Sequence, residues 1–414
     1  MERSNLTYVA APVRRADEPF ELVERKGVGH PDTLADALAE HLSAVYSRYT
    51  LLRFGAVLHH QFDKTGILGG RVQVGFGGGR MLSPVRVVLC GRASGSFAGT
   101  AIPVRQLLTE ATHRFFAERF PMLDAERDLR LLYEVSQGDS PGGIGAKNGT
   151  NVRSRWFAPQ SLDDLPEVKR LACNDTSSGT AFWPPTPTEQ LVLDVEQVLA
   201  GEVRPAWLGS DIKVMAHRAG SRVRVTCAVP QLAAHVPDIE TYVANRKAAR
   251  AVLEQHAAEH YPDLQVEFWL NTRDDDRRPE LYLTHTGSSI ETGDEGLVGR
   301  GNRYGGLISA MRPFTMEGIS GKNPVYHTGK VYCVAADLAA RAVHREFGHG
   351  AEVLLVGQSG RELADPWAAV VRTEPAADGA PAPGMEAVAP LVDQALATLP
   401  QTVEDILADA YPMY

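Results

Sequence analysis

The chain has 414 residues, 44% of them hydrophobic, and a formal net charge of −9. That length holds two or three domains of ordinary size around packed cores. The acidic balance excludes wholesale attraction to nucleic acid or to an anionic membrane. No apolar run is long enough to span a bilayer, and residues 1–5 lack the basic and apolar regions of a signal peptide, so the reading is cytoplasmic. Cys90, Cys173, Cys227 and Cys333 lie far apart with no CxxC pair. They read as free thiols of a reducing compartment, not as a zinc site or disulfide frame.

The densest early stretch is residues 24–32, which gather Glu24, Lys26, Gly27, Gly29, His30, Pro31 and Asp32 ahead of a helical pattern at residues 33–40. It reads as a tight turn feeding a helix, with Pro31 at the first helical position. The free N–H groups and positive dipole end of that helix favour an anion. Asp32 can hold a cation there, and His30 can donate to a departing oxygen. The bland alternative is an ordinary cap with solvated charges.

Residues 55–64 read as a strand, turned by Thr65 and Gly66 into a hairpin partner at 67–76, with another strand at 85–90. His59 and His60 are adjacent on the first of these, so they face opposite sides and cannot form a metal pair. A helix is predicted at 103–120 and a strand at 129–135. The Gly-rich stretch 136–151, with Gly142, Gly143 and Lys147, reads as a long loop serving as a lid. It is not a Walker loop, because no GK[ST] follows. Asn174, Asp175, Thr176 and Ser177 form a polar turn able to cap a helix or hold an ammonium group. A helix at 189–200 precedes a strand entered at 207–215, where Asp211 and Lys213, two apart, share one face.

Strands at 222–229, 264–270 and 281–284 surround a long helix at 239–260. The recurrence of strand pairs with a helix predicts an α+β fold of two or three units, with antiparallel sheets covered on one face. A second dense region follows at 286–327. Gly299, Arg300, Gly301, Asn302 and Arg303 offer backbone N–H groups and two guanidinium forks, and Gly321 with Lys322 offers another anion cradle. The glycine spacing does not fit a dinucleotide fingerprint, so a Rossmann site is excluded. A helix at 330–347, a strand at 353–357, a Pro/Ala/Gly-rich loop at 374–384 and a final helix complete the chain.

In this order, the motifs at residues 23–32, 174–177, 209–215, 298–303 and 321–324 make the chain resemble the S-adenosylmethionine synthetases (methionine adenosyltransferases), specifically their archaeal-type branch. The resemblance implies attack of the methionine sulfur on C5′ of ATP, with release of triphosphate that is then split to pyrophosphate and phosphate. It implies three α+β domains around a pseudo-threefold axis, interleaved and divided near 1–135 (with parts of the C-terminal region), 136–285 and 286–414. It also implies a homodimer with shared active sites, a tetramer being the alternative.

Carried over by motif, His30 stands by the breaking bond, Asp32 binds Mg²⁺ and Glu24 lies in the nucleotide pocket. Asp175 and Asn174 hold methionine. Asp211 and Lys213 match the strand acid and lysine. Arg312 and Lys322 grip the polyphosphate, with Arg300, Asn302, Arg303 and Gly321 beside them. Gly142, Gly143 and Lys147 fall in the gating loop.

Four positions depart from the pattern. Thr33 replaces the lysine that follows Asp in the bacterial form, and His60 replaces its potassium-site glutamate, leaving a K⁺ requirement open. Ser178 replaces an aromatic, and Gly305 an asparagine, of the archaeal pattern. The last two motivate an alternative, the same chemistry on a methionine analogue. A non-catalytic nucleotide-binding regulatory subunit is the other alternative.

Overall fold

The structure is a computed structural model that describes residues 5–137, 156–278 and 280–414. Gly142, Gly143 and Lys147 lie outside the described residues. The long helices are α1 (Pro31–Phe54), α2 (Val104–Arg119), α3 (Pro187–Ala200), α4 (Ile239–His260), α5 (Thr328–Phe347) and α6 (Met385–Ala397). Their ends follow from local chemistry. Helix α1 starts on Pro31 and stops at Gly55, whose φ of 75° a glycine adopts without a Cβ clash. Helix α3 begins two residues earlier than its apolar pattern because Thr186 and Glu189 cap each other reciprocally. Asp238 caps α4 through the Thr241 N–H.

Three sheets of four or five strands carry the cores. The first runs in the order Leu6–Ala10, Ala368–Thr373, Ala351–Val356, Ser178–Trp183. The second runs Leu129–Ser136, Val85–Ala93, Gly66–Leu68, Glu295–Leu297, with His60–Gln61 also paired to Val85–Ala93. The third runs Gln265–Leu270, Arg222–Ala228, Lys213–Ala219, Phe20–Lys26, Ile308–Ser309. The α+β class stands, but the sheets are not purely antiparallel. Each has one parallel pair at an edge. Parallel neighbours need a crossover. Helix α2 supplies it in the second sheet and α4 in the third. In the first sheet the parallel partner, Leu6–Ala10, comes instead from the other end of the chain.

Helix α5 packs on the first sheet with α6 laid against α5, while α1 and α2 cover the second sheet and α3 and α4 the third, each group burying its own apolar cluster. The close fit of α5 explains Gly179: a Cβ there would lie 2.3 Å from the Cys333 backbone nitrogen. The units exchange strands in a ring. Phe20–Lys26 lies in the third sheet but feeds α1 on the second. Ser178–Trp183 lies in the first and feeds α3 on the third. Glu295–Leu297 lies in the second, and the chain then runs on to α5 on the first. Helix N-termini therefore fall at the seams between units, where polar motifs can meet.

The hairpin expected from 55–64 and 67–76 does not form. His60–Gln61 and Gly66–Leu68 both pair with Val85–Ala93, while Arg71–Gly75 pairs with Gly78–Ser83. The chain breaks at Gly69 because residues 293–294 cross there: a Cβ on Gly69 would sit 2.5 Å from the Gly293 carbonyl carbon. The strand expected at 281–284 shortens to Leu283–Thr284.

Candidate active site

Strand Phe20–Lys26 leads into the turn at residues 27–30 and the head of α1. The turn is pinned to residues 210–212 by Gly27 N–H to the Ile212 carbonyl (2.6 Å) and Gly29 N–H to the Ser210 carbonyl (2.9 Å). Only glycine fits so close an approach: a Cβ on Gly29 would lie 2.1 Å from Ser210 Oγ. The Ser210 and Asp211 N–H groups in turn donate to the Gly287 carbonyl. Three segments far apart in sequence thus fix one histidine.

His30 caps α1, its Nδ1 accepting from the Asp32 N–H at 3.2 Å. A ring accepting at Nδ1 carries its proton on Nε2 when neutral. Burial lowers the His30 pKa, opposed by Asp211 and Asp32 and assisted by Lys26 and Lys213. At neutral pH the ring is therefore an uncharged Nε2–H donor. Asp32 pairs with Lys26 Nζ at 2.8 Å and accepts the Leu297 N–H at 3.1 Å. Thr33 donates its hydroxyl to the Lys26 carbonyl at 3.0 Å, so the positive charge beside Asp32 comes from Lys26 on the preceding strand. Glu24 pairs with Lys213 at 3.2 Å, and the Lys213 side chain remains 44% exposed.

Asp211 does not share a strand face with Lys213, as the two-residue spacing predicted, because the strand begins only at Lys213. Asp211 is buried and accepts the Ser289 N–H at 2.9 Å, and burial raises its pKa. It buttresses the turn.

The loop at residues 297–303 closes over this site. Asn302 exchanges two bonds with the Lys26 backbone, at 2.9 and 2.8 Å. Arg303 turns inward to the carbonyls of Gly299, Gly301 and Thr315. Both side chains, expected on phosphate, are thus spent holding the loop. Arg300 is exposed, its carbonyl held by Lys26 Nζ at 2.6 Å.

A second group gathers at the head of α5. Asn174 Oδ1 accepts the Thr328 N–H (3.1 Å), and the Asp175 carbonyl accepts the Thr328 hydroxyl (3.1 Å). The Asp175 carboxylate, otherwise exposed, accepts the N–H of Thr176. Lys322 lies buried among Glu317, Asp63 (3.2 Å) and His327 Nε2 (3.3 Å), and Gly321 N–H donates to Glu40 at 2.9 Å. Residues 174, 175, 321 and 322 therefore come together, but apart from His30.

Arg312 belongs to neither group, contrary to the expected polyphosphate grip. Its guanidinium is buried against Glu189 (2.9 Å), Glu352 (3.1 Å) and Glu374 (3.4 Å), over the Phe182 ring. These carboxylates and the Pro184 carbonyl leave it no donor to offer a ligand. Gly305 has φ 95°, a conformation asparagine and glycine both tolerate, so its departure from the archaeal pattern is a backbone matter. Sequence reasoning missed Asp36, Ser289 and Glu317 as site neighbours. The i, i+4 spacing of Asp32, Asp36 and Glu40 inside an apolar helix was the signal available for one of them.

The model of the S-adenosylmethionine synthetase (AdoMet synthetase) family matches residues 9–410. The chain belongs to this family. It is 36% identical to the S-adenosylmethionine synthase of Caldivirga maquilingensis, over 86% of this chain and 87% of that protein. It is likewise 36% identical to that of Haloarcula marismortui, over 99% and 96%. A solved structure of an unusual S-adenosylmethionine synthetase from Campylobacter jejuni matches with a TM-score of 0.58 at 13% identity, covering 93% of this chain and 88% of that one. That likeness supports the fold alone. The family's activity is methionine adenosyltransfer from ATP, and it works with a divalent metal. Among the described residues no helix is long and apolar enough to cross a membrane.

Proposed function

We propose that this chain makes S-adenosylmethionine from ATP and L-methionine at the head of α1, working in the cytoplasm with Mg²⁺. The observation that carries the siting is His30: an uncharged Nε2–H donor at a helix N-terminus, between two lysines and two carboxylates. The methionine sulfur forms its bond to C5′ as the C5′–O5′ bond breaks, and the electron pair leaves on the triphosphate. A neutral thioether needs no general base. What the reaction needs is donors aimed at the oxygen where charge develops. The His30 Nε2–H meets O5′, while Lys213, Lys26 and the exposed Arg300 meet the phosphates.

Among the described residues no group of three or more His, Cys, Asp or Glu side chains could cage a metal. That fits Mg²⁺, which is typically held by one or two carboxylates plus substrate phosphates and water. Asp32 is the carboxylate that would hold it, exchanging its Lys26 partner. Bound there, the ion would neutralise charge on the departing polyphosphate.

Asp175, exposed beside Asn174, suits the methionine ammonium. Lys322 reaches phosphate only by loosening its carboxylates. A homodimer brings the α1 group and the α5 group of different copies to one site, in line with the family resemblance. The test is product formation by purified protein from ATP, L-methionine and Mg²⁺, followed by mass spectrometry. S-adenosylmethionine with one pyrophosphate and one phosphate per turnover is expected. Product only from a bulkier thioether points instead to the methionine-analogue reading.

A further inference from the structure

One turn below Asp32, Asp36 is buried inside the protein. Its Oδ1 accepts the Gly299 N–H at 2.8 Å, and its Oδ2 has no hydrogen-bond partner. That free oxygen lies against Gly301, where a Cβ would come within 2.3 Å of it. The Arg303 guanidinium binds the carbonyls of Gly299, Gly301 and Thr315, and its charge favours the ionised form of Asp36 without an ion pair between them. A cavity of about 40 Å³ opens beside the pair, lined by Asp36, Arg303, Glu317 and Ser320. Room for ordered water beside an unpaired carboxylate oxygen makes it tolerable to bury.

We propose that Asp36 and Arg303 form an internal clasp that sets the shape of the loop at residues 297–303. They act as positioning residues that point Arg300 and the loop backbone at the polyphosphate, and do not touch it themselves. The guanidinium takes the place a bound cation has in other carbonyl-lined loops, gathering three carbonyls around one fixed positive charge. The carboxylate holds the loop from the other side through the Gly299 amide. Asp36 sits at a helix face and cannot move without α1, so the loop is referenced to the same helix that carries His30. Burial raises the Asp36 pKa to about 7, against the Gly299 hydrogen bond and the Arg303 charge. Asp36 therefore sits near the middle of its titration at neutral pH, and loss of Arg303 is expected to shift it further toward the protonated form.

This inference rests on the proposed nucleotide site, so two readouts are taken on Arg303→Ala, Asp36→Asn and Gly301→Ala. Amide hydrogen exchange of Gly299 and Gly301, measured without nucleotide, reports the clasp alone. Exchange accelerated in all three variants, with melting temperatures otherwise retained, is expected. Unchanged exchange in Arg303→Ala and Asp36→Asn overturns the clasp, whatever the site binds. Calorimetric binding of an ATP analogue bridged by nitrogen between its β and γ phosphates reports the consequence. A charged hydrogen bond lost at a buried site corresponds to about ten-fold weaker binding.

Arg303→Ala and Asp36→Asn should each show that loss, and the double variant no more than either alone. Arg300→Ala should add its own loss to both. Added guanidinium ion should restore Arg303→Ala but not Asp36→Asn. Independent, multiplying losses for Arg303 and Asp36 mean that Arg303 meets the phosphate directly and overturn the positioning role. No binding by the unaltered protein, with exchange behaving as expected, sinks the nucleotide site and leaves the clasp standing.

Discussion

Helices α1 and α5 both begin on a histidine at a seam between units, and they differ in what their neighbours leave unsatisfied. At α1 the lysine on the adjoining strand, Lys213, keeps nearly half its side chain exposed, and the His30 ring shows only its Nδ1 bond. At α5, Lys322 is 7% exposed and already matched by Asp63 and Glu317, while His327 is enclosed and held neutral by burial and by Lys322 and Lys330. The two helix heads have similar residues and opposite economies. Electrostatic catalysis needs charge that is preorganised yet still available to the substrate. The α1 head has that; the α5 head is built first as a joint between loops.

The comparison breaks most violently if a charge of the joint type is removed. Arg312→Ala leaves Glu189, Glu352 and Glu374 facing one another with Arg15 and Arg372 as the remaining cations. Removing one partner of a buried ionic network costs about 3–5 kcal/mol. Urea unfolding should show that loss, and the KM for ATP of the folded fraction should stay within about two-fold, since no transition-state contact is removed. A large rise in the KM for ATP at unchanged stability would return Arg312 to the phosphate.

At the open head the expected signature is reversed. His30→Ala should cut turnover by about 10²-fold, the scale of one donor acting in the transition state, with a stability loss of only about 1 kcal/mol from the lost α1 cap. Turnover within a few-fold of the unaltered enzyme sinks the role given to Nε2. Because burial lowers the His30 pKa, the neutral form persists below the ordinary imidazole value of 6.5. The acid limb of the rate profile attributable to His30 should therefore lie below pH 6.5.

Lys322→Ala is predicted to be intermediate, with about ten-fold weaker polyphosphate binding accompanied by a measurable stability loss. Loss of phosphate binding with no change in melting temperature would make the α5 head an open site like its counterpart.

Much of this was legible in the chain. The turn at 24–32, the capped helices and the Gly-rich loops carry local signals, and the α+β class followed from their alternation. What the sequence could not show was direction. Arg312 and Arg303 look like phosphate forks because a guanidinium fits carboxylate, carbonyl and phosphate alike. Their partners, Glu189, Glu374 and the Thr315 carbonyl, are assembled only by tertiary contacts. Sheet pairing was misread for a related reason. Gly69 ends a strand because residues 293–294 cross it, and no local pattern encodes a crossing 224 residues away. The parallel edge made by Leu6–Ala10 is likewise invisible to any window, since its partner is Ala368–Thr373.

The smallest expected effect concerns potassium, and it sharpens the contrast between charged and neutral joints. His60, which the family resemblance matches to a glutamate of the bacterial pattern, is fully enclosed. Its Nε2 lies 2.8 Å from Ser43 Oγ and its Nδ1 2.9 Å from the Leu58 carbonyl. Burial pushes its pKa down to about 3, and that of neighbouring His59 to about 4. Neither ring offers the negative charge that holds a monovalent cation, and a neutral imidazole with both nitrogens engaged has no lone pair to spare.

Replacing K⁺ by Na⁺ or tetramethylammonium at constant ionic strength should therefore leave the rate within about two-fold, the scale of a non-specific salt effect. The same neutrality has a cost in acid. Both folded pKa values lie below the unfolded 6.5, so the unfolded chain binds protons first as pH falls. Stability from these rings is complete above pH 6.5 and declines as pH drops toward 4 and then 3. Strong activation by K⁺, or stability indifferent to pH between 6.5 and 4, would mean that this joint is charged after all.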